Sequence, residues 1–174
     1  MLELRQYKAC DAQIVTTWLK NEYAFRQWSA DRYESYPITG EDMNSYYSQY
    51  GSGELYKLTA VDENEVIGHL TIRFIDEEKK IARLGFVIVD DGRRGKGYGK
   101  QLVLSALKYA FDELRVNKVT LGVFENNKPA VNCYLSCGFK IVKREITESY
   151  QCMGEIWKCI EMETDKSDFI AEGL

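Results

Sequence analysis

The chain has 174 residues, 45% of them hydrophobic and 29% charged, the size and composition of one globular domain. Lysine and arginine number 23 against 27 acidic residues, so the net charge of -4 provides no general basic field to collect nucleic acid. No apolar run approaches the ~18–20 residues of a membrane span, and the N-terminal MLELRQYKACD lacks the basic-then-apolar pattern of a secretory signal. Leu2 to Tyr7 alternates weakly and predicts a first strand. Asp11 is placed to N-cap a helix whose Ile14, Val15, Trp18 and Leu19 share one face. Asn21 to Pro37, rich in aromatic and charged residues, reads as short helix and loop. Thr39 and Asp42 form a capping-box pattern opening a helix with Met43, Tyr46, Tyr47 and Tyr50.

After Gly51-Ser52-Gly53, three strand-like runs follow, 55–61, 66–75 and 81–89, joined by the short polar connections 62–65 and 76–79. They predict an antiparallel meander. His69, the single histidine, lies in the second run; it reads as a strand histidine beside the core or as a site-lining group. One histidine excludes zinc sites built from several, and the cysteines lack ligand spacing, so no metal is expected. Residues 90–100 are charged and glycine-rich, and Leu102, Val103, Ala106, Leu107, Ala110, Phe111 and Leu114 then recur at helical spacing. The strand at 118–124 follows a crossover helix and is therefore expected parallel to 81–89. A short helix over 129–137 starts with Pro129 and ends at Gly138. Strands near 139–146 and 156–162 complete a mixed α/β sheet of about seven strands in one domain, 1–165, with a polar, frayed tail at 166–174. Cys10, Cys133, Cys137, Cys152 and Cys159 are odd in number and form no C-x-x-C pair, which suits free thiols in a reducing cytoplasm.

The chemistry concentrates in Arg93-Arg94-Gly95-Lys96-Gly97-Tyr98-Gly99-Lys100, four positive charges between a strand and a helix start. A helix N-terminus offers unpaired N–H groups and partial positive charge, and glycines admit close backbone approach, so this loop suits a phosphate or pyrophosphate. A Walker loop is excluded because the spacing is one residue short and Gln101 stands where a magnesium-binding hydroxyl belongs. A dinucleotide fingerprint is excluded because Lys100 occupies the third glycine position.

The pattern Arg94-x-x-Gly97-x-Gly99 resembles the pyrophosphate loop of the GNAT superfamily of acyl-CoA N-acyltransferases. Asn127-x-x-Ala130-x-x-x-Tyr134-x-x-x-Gly138-Phe139 resembles the superfamily's next block, and its first three members stack on one helical face. The resemblance is strongest over about 66–162; the N-terminal third matches in layout, with aromatic-rich helices similar to those of bacterial relatives that acetylate ribosomal-protein N-termini. It implies that strands 81–89 and 118–124 splay apart to admit the pantetheine arm of acetyl-CoA as a pseudo-strand. By that resemblance Phe86, Val87, Ile88 and Val89 contact the arm and acetyl group. Arg94, Gly95, Lys96, Gly97, Tyr98, Gly99 and Lys100 hold the pyrophosphate, Asn127 and Ala130 support the arm, and Tyr134 protonates the departing thiolate. Many relatives carry a glutamate base on the strand before the loop, where this chain has Arg83. His69, Glu148 and a water chain remain as candidate bases.

Trp28, Asp31, Tyr33, Tyr46, His69 and Glu148 are candidates for the acceptor pocket, with acidic groups attracting a cationic amine. The implied activity is acetyl transfer from acetyl-CoA to a primary amine, whether of a protein N-terminus, a polyamine or a small molecule. The expected setting is a cytoplasmic monomer or homodimer without nucleic-acid or membrane partners. A catalytically inactive acyl-CoA-binding sensor is the alternative that the missing acid at position 83 keeps open.

Overall fold

The computed structural model describes residues 2–142 and 148–171. An eight-stranded sheet runs in the order β1-β2-β3-β4-β5-β8-β6, with β7 attached to β8. β1 (Glu3–Gln6), β2 (Tyr56–Asp62), β3 (Glu65–Phe74) and β4 (Ile81–Val89) pair antiparallel in that order, the last three as the short polar connections between them predict. β5 (Lys118–Phe124) pairs parallel to β4, and β8 (Glu155–Asp165) runs antiparallel to β5. Between β1 and β2 lie α1 (Asp11–Thr16), α2 (Glu22–Ser29) and α3 (Gly40–Ser48). α4 (Tyr98–Lys108) continues into one π-turn at Tyr109–Glu113 and makes the β4-to-β5 crossover. α5 (Lys128–Leu135) leads to β6 (Lys140–Val142).

Helices cover both faces of the sheet. One core joins Leu58, Leu70, Ile72, Leu84, Val119 and Leu121 of the strands to Leu102, Ala106, Leu107, Phe111 and Val131 on α4, its π-turn and α5. The other joins Val15, Trp18, Phe25, Met43 and Tyr47 of the N-terminal helices to Phe86 and Ile88 of β4. β4 thus contributes to both cores, and its backbone explains how. Phe86 has φ +50°, and the β3–β4 register shifts where His69 pairs with Ile88 but Thr71 pairs with Gly85. Such a bulge moves every following side chain to the opposite face. Ala82 and Leu84 therefore face α4, Phe86 and Ile88 face the N-terminal helices, and Val87 and Val89 return to the α4 side.

Three local expectations are corrected. Asp11 does not cap α1: Cys10 is the N-cap, and the buried Asp11 carboxylate accepts hydrogen bonds from Arg5 (2.7 and 2.8 Å), Lys8 N–H (2.9 Å) and Thr59 (2.8 Å). The network ties α1 to β1 and β2 and holds the Asp11 carboxyl below its ordinary value: the Arg5, Lys8 and Thr59 hydrogen bonds outweigh burial, which alone would raise it. The second correction is β7 (Ser149–Cys152), which hairpins onto β8 through Met153-Gly154, both at positive φ, in place of one strand beginning at 156. Third, the polar segment read as a frayed tail opens as α6 (Lys166–Ala171), anchored by Lys166 Nζ donating to the Phe111 carbonyl (2.9 Å) and by Phe169 against Phe111. Of the strand expected near 139–146, Lys140–Val142 is seen; 143–147 lie outside the described residues.

Candidate active site

β4 and β5 pair only through Ile81↔Lys118, Ala82↔Val119 and Arg83↔Thr120. Beyond Arg83 the two strands part, while β5 keeps its full register with β8 as far as Phe124↔Cys159. Unpaired backbone N–H and C=O groups need partners, so the separated edge of β4 is a template for an extended, amide-bearing ligand. A groove of about 810 Å³ opens there, lined by Val87, Ile88 and Val89 from β4 and Val123 from β5.

One end of the groove is the glycine-rich loop. Gly95 (φ +75°) and Gly97 (φ +83°) adopt left-handed conformations that suit glycine, and Gly97 is the N-cap of α4. Arg94, Gly95, Gly97, Gly99 and Lys100 line the groove. The other charged or aromatic members of the loop turn elsewhere. Arg93 pairs with Glu65 and Asp90, Lys96 Nζ donates to the Gly92 carbonyl (3.3 Å), and Tyr98 donates to Asp62 (2.8 Å). These contacts fasten the loop to β2 and β3.

α5 forms the other wall. Asn127 N-caps it by accepting from Ala130 N–H (3.4 Å), which commits the amide oxygen. Asn127, Ala130, Cys133 and Tyr134 all line the groove. Burial raises the Tyr134 phenol well above its ordinary value, with Cys133 and Cys137 adding to it, so the group is a protonated donor at neutral pH. Its ring meets Phe139 edge-on at 5.9 Å.

Of two smaller concavities, the first continues from the groove and the second meets the first at Arg32, Arg73 and Arg83. The first, about 490 Å³, shares Gln27 and Trp28 with the groove and is also lined by Arg32, Arg73, Arg83, Phe124, Glu148, Tyr150 and Glu161. The second, about 220 Å³, is lined by Arg32, Tyr46, Tyr50, Thr71, Arg73, Arg83 and Phe86. Trp28 stacks on Tyr33 (6.0 Å, 9° between planes) and packs at 4.8 Å from Phe86. The Trp28 Nε1 and Tyr33 hydroxyl are buried without a hydrogen-bond partner among the described residues.

Of the residues expected to line the acceptor pocket, Trp28, Tyr46 and Glu148 line these concavities. Tyr33 lies buried behind Trp28, and Asp31 is exposed outside the lining. His69 is fully buried, its Nε2 shares a 2.7 Å hydrogen bond with Tyr47, and burial pushes its pKa down to about 3. Phe86 faces the smaller concavity and not the groove. Arg83 is half-buried and engaged by Glu161 through two contacts, Nη1 to Oε1 and Nη2 to Oε2 (3.1 Å). Arg32, Arg73, Glu161 and Gln27 have no signal in the sequence: strand register places Arg73 and Glu161, and the packing of α2 and its following loop brings Gln27 and Arg32 to them. Among the described residues, no group of three or more His, Cys, Asp or Glu side chains is arranged to hold a metal, and no helix is long and apolar enough to cross a membrane.

The sequence profile of the acetyltransferase (GNAT) family matches residues 21–139. Spermidine N(1)-acetyltransferase of Vibrio cholerae is 25% identical over 140 residues, covering 79% of this chain and 78% of that one. The L-amino acid N-acetyltransferase AaaT of Escherichia coli is 31% identical over 86 residues, 49% of this chain and 53% of its own. Among solved structures, the Vibrio cholerae spermidine N-acetyltransferase in complex with CoA and spermine superimposes with a TM-score of 0.82 over 97% of this chain and 98% of that one, at 23% identity.

Proposed function

The chain belongs to the acetyltransferase (GNAT) family, and from that membership we propose that it transfers the acetyl group of acetyl-CoA to a primary amine by direct attack. The observation that carries this reading is the continuity of the groove: it runs from the basic glycine loop along the parted edge of β4 to Tyr134, and opens past Gln27 and Trp28 into a second concavity. The donor's extended amide arm suits the unpaired edge of Val87 to Val89. Its phosphates suit the N-terminus of α4, where Arg94 and Lys100 add charge.

Each residue then has a task. A backbone N–H of the β4 edge polarises the thioester carbonyl as charge develops on its oxygen. A neutral amine, entering past Trp28, forms the C–N bond as the C–S bond breaks. Tyr134 gives its proton to the departing thiolate. The proton lost by the amine goes to Glu148, which lines the larger of the two concavities beyond the groove and is exposed to water. His69 takes no step, because it is neutral, enclosed and bonded to Tyr47. Two relatives named for spermidine and for L-amino acids support an amine nitrogen as acceptor.

Thiol release from acetyl-CoA, followed across a panel of amines, tests the proposal. Amine-dependent release with stoichiometric N-acetylated product is expected. Tight acetyl-CoA binding with no amine-dependent release would favour an acyl-CoA sensor instead.

A further inference from the structure

Arg73 on β3 and Arg83 on β4 are direct cross-strand partners. Like charges in that position repel, and a sheet ordinarily avoids them. Arg32, in the loop after α2, brings a third guanidinium to the same place, 5.7 Å over the Phe86 ring. All three line both acceptor-side concavities.

Compensation is unequal. Glu161 on β8 reaches across β5 to Arg83 and engages both terminal guanidinium nitrogens, Nη1 and Nη2. The crossing depends on Gly122, where a Cβ would stand 2.7 Å from Arg83 Nη2. Glu148, the other acid of the larger concavity, lies exposed, with Tyr150 donating to it at 3.3 Å. The smaller concavity has three arginines and no acidic lining residue. Neither Arg73 nor Arg32 has a carboxylate partner among the described residues; Arg32 reaches only the Ser29 carbonyl, at 3.3 Å. Both guanidiniums lie close enough to Tyr46 to favour its phenolate, against the burial and the Tyr50 hydrogen bond that together push it up to about 12.

We propose that the acceptor amine carries an oxyanion, a carboxylate or a phosphoryl group, and that Arg73 and Arg32 hold it in the arginine-lined concavity while the amine faces the groove. Guanidinium forks match both groups geometrically. The cross-strand arginine pair is then a recognition element whose repulsion the bound anion relieves. A polyamine would bring further positive charge against three guanidiniums, so the same residues discriminate against it. The aromatic wall of Tyr46, Tyr50 and Phe86 suits a short apolar segment between amine and anion.

The inference rests on the acetyl-transfer reading, and its test separates the two. Purified full-length chain with acetyl-CoA is offered amino carboxylates and aminophosphonates, each beside the neutral amine lacking the anion, together with spermidine. The anionic members are expected to exceed their neutral counterparts by about tenfold or more in kcat/KM. Arg73→Gln and Arg32→Gln are each expected to raise the acceptor KM about tenfold while the KM for acetyl-CoA holds. Preference for carboxylates over phosphonates, or the reverse, identifies the anion. Equal or faster turnover of spermidine and neutral amines, or a preference untouched in both variants, would overturn the proposal and leave acetyl transfer standing. In parallel, calorimetry measures N-acetylglycine and N-acetylaminomethylphosphonate binding to the CoA-saturated protein. Binding weakened by Arg73→Gln, without turnover of any amine, would support the anion site and refute the acetyl-transfer reading. No binding of either probe and no anionic turnover would overturn the anion site.

Discussion

Tyr134 and His69 are both enclosed polar side chains, yet their surroundings assign them opposite parts. Tyr134 borders the groove, and burial keeps its phenol protonated, so it can give a proton to a thiolate. Tyr134→Phe should lower kcat about a hundredfold with little change in the KM for acetyl-CoA, measured by thiol release. His69 is sealed beneath Tyr47 with its pKa pushed down to about 3 by burial. In the unfolded chain it binds a proton near the ordinary value of about 6.5. Between those values the unfolded state binds more protons, so stability is intact above pH 6.5 and falls as the pH drops toward 3. This group alone should remove about 2 kcal/mol between pH 7.5 and pH 5. Denaturant titrations at the two pH values check it: His69→Gln should flatten the loss, and an equally steep loss in that variant would assign it to other groups. Tyr134 and Asn127 are legible in the sequence because a helix keeps their spacing local. The meeting of Arg73, Arg83 and Glu161 is not, because it depends on register across four strands, β3, β4, β5 and β8.

The elements that position the groove follow from short-range signals. Short polar connections define the meander, helical spacing defines α4, and Asn127 followed by Pro129 defines the start of α5. The bulge at Phe86 has no such signal. Nothing in Leu84-Gly85-Phe86-Val87 announces a left-handed phenylalanine, although that residue turns β4 from one core to the other. The β7–β8 hairpin is equally silent, since Met153-Gly154 is not among the usual turn pairs. At Gly97 the sequence and the structure agree on a residue that needs glycine. A Cβ there meets only Gln101 Nε2 at 4.0 Å, so the penalty of substitution is conformational and falls on the loop. Gly97→Val should distort the N-terminus of α4 by about 1–2 kcal/mol and weaken acetyl-CoA binding about tenfold by calorimetry. Undiminished affinity would remove this residue from the phosphate cradle.

At the scale of the molecule, the sheet separates two tasks. The α4–α5 side carries the loop and Tyr134, while the N-terminal helices, β3 and β8 build the arginine-lined side. Trp28 and Gln27 stand where the two meet. A net charge of -4 is compatible with an anionic donor because the positive charge is local. The fold's main lines, including the parallel β4–β5 pair, are readable from the order of periodic segments; the composition of the acceptor side is not, because its residues come from distant stretches of chain. The most direct measurement is a crystal structure of the protein grown with CoA. A pyrophosphate is expected against the backbone N–H groups of 95–99, with the sulfur within hydrogen-bond reach of the Tyr134 hydroxyl. A coenzyme bound elsewhere, or with its sulfur remote from Tyr134, would contradict this placement.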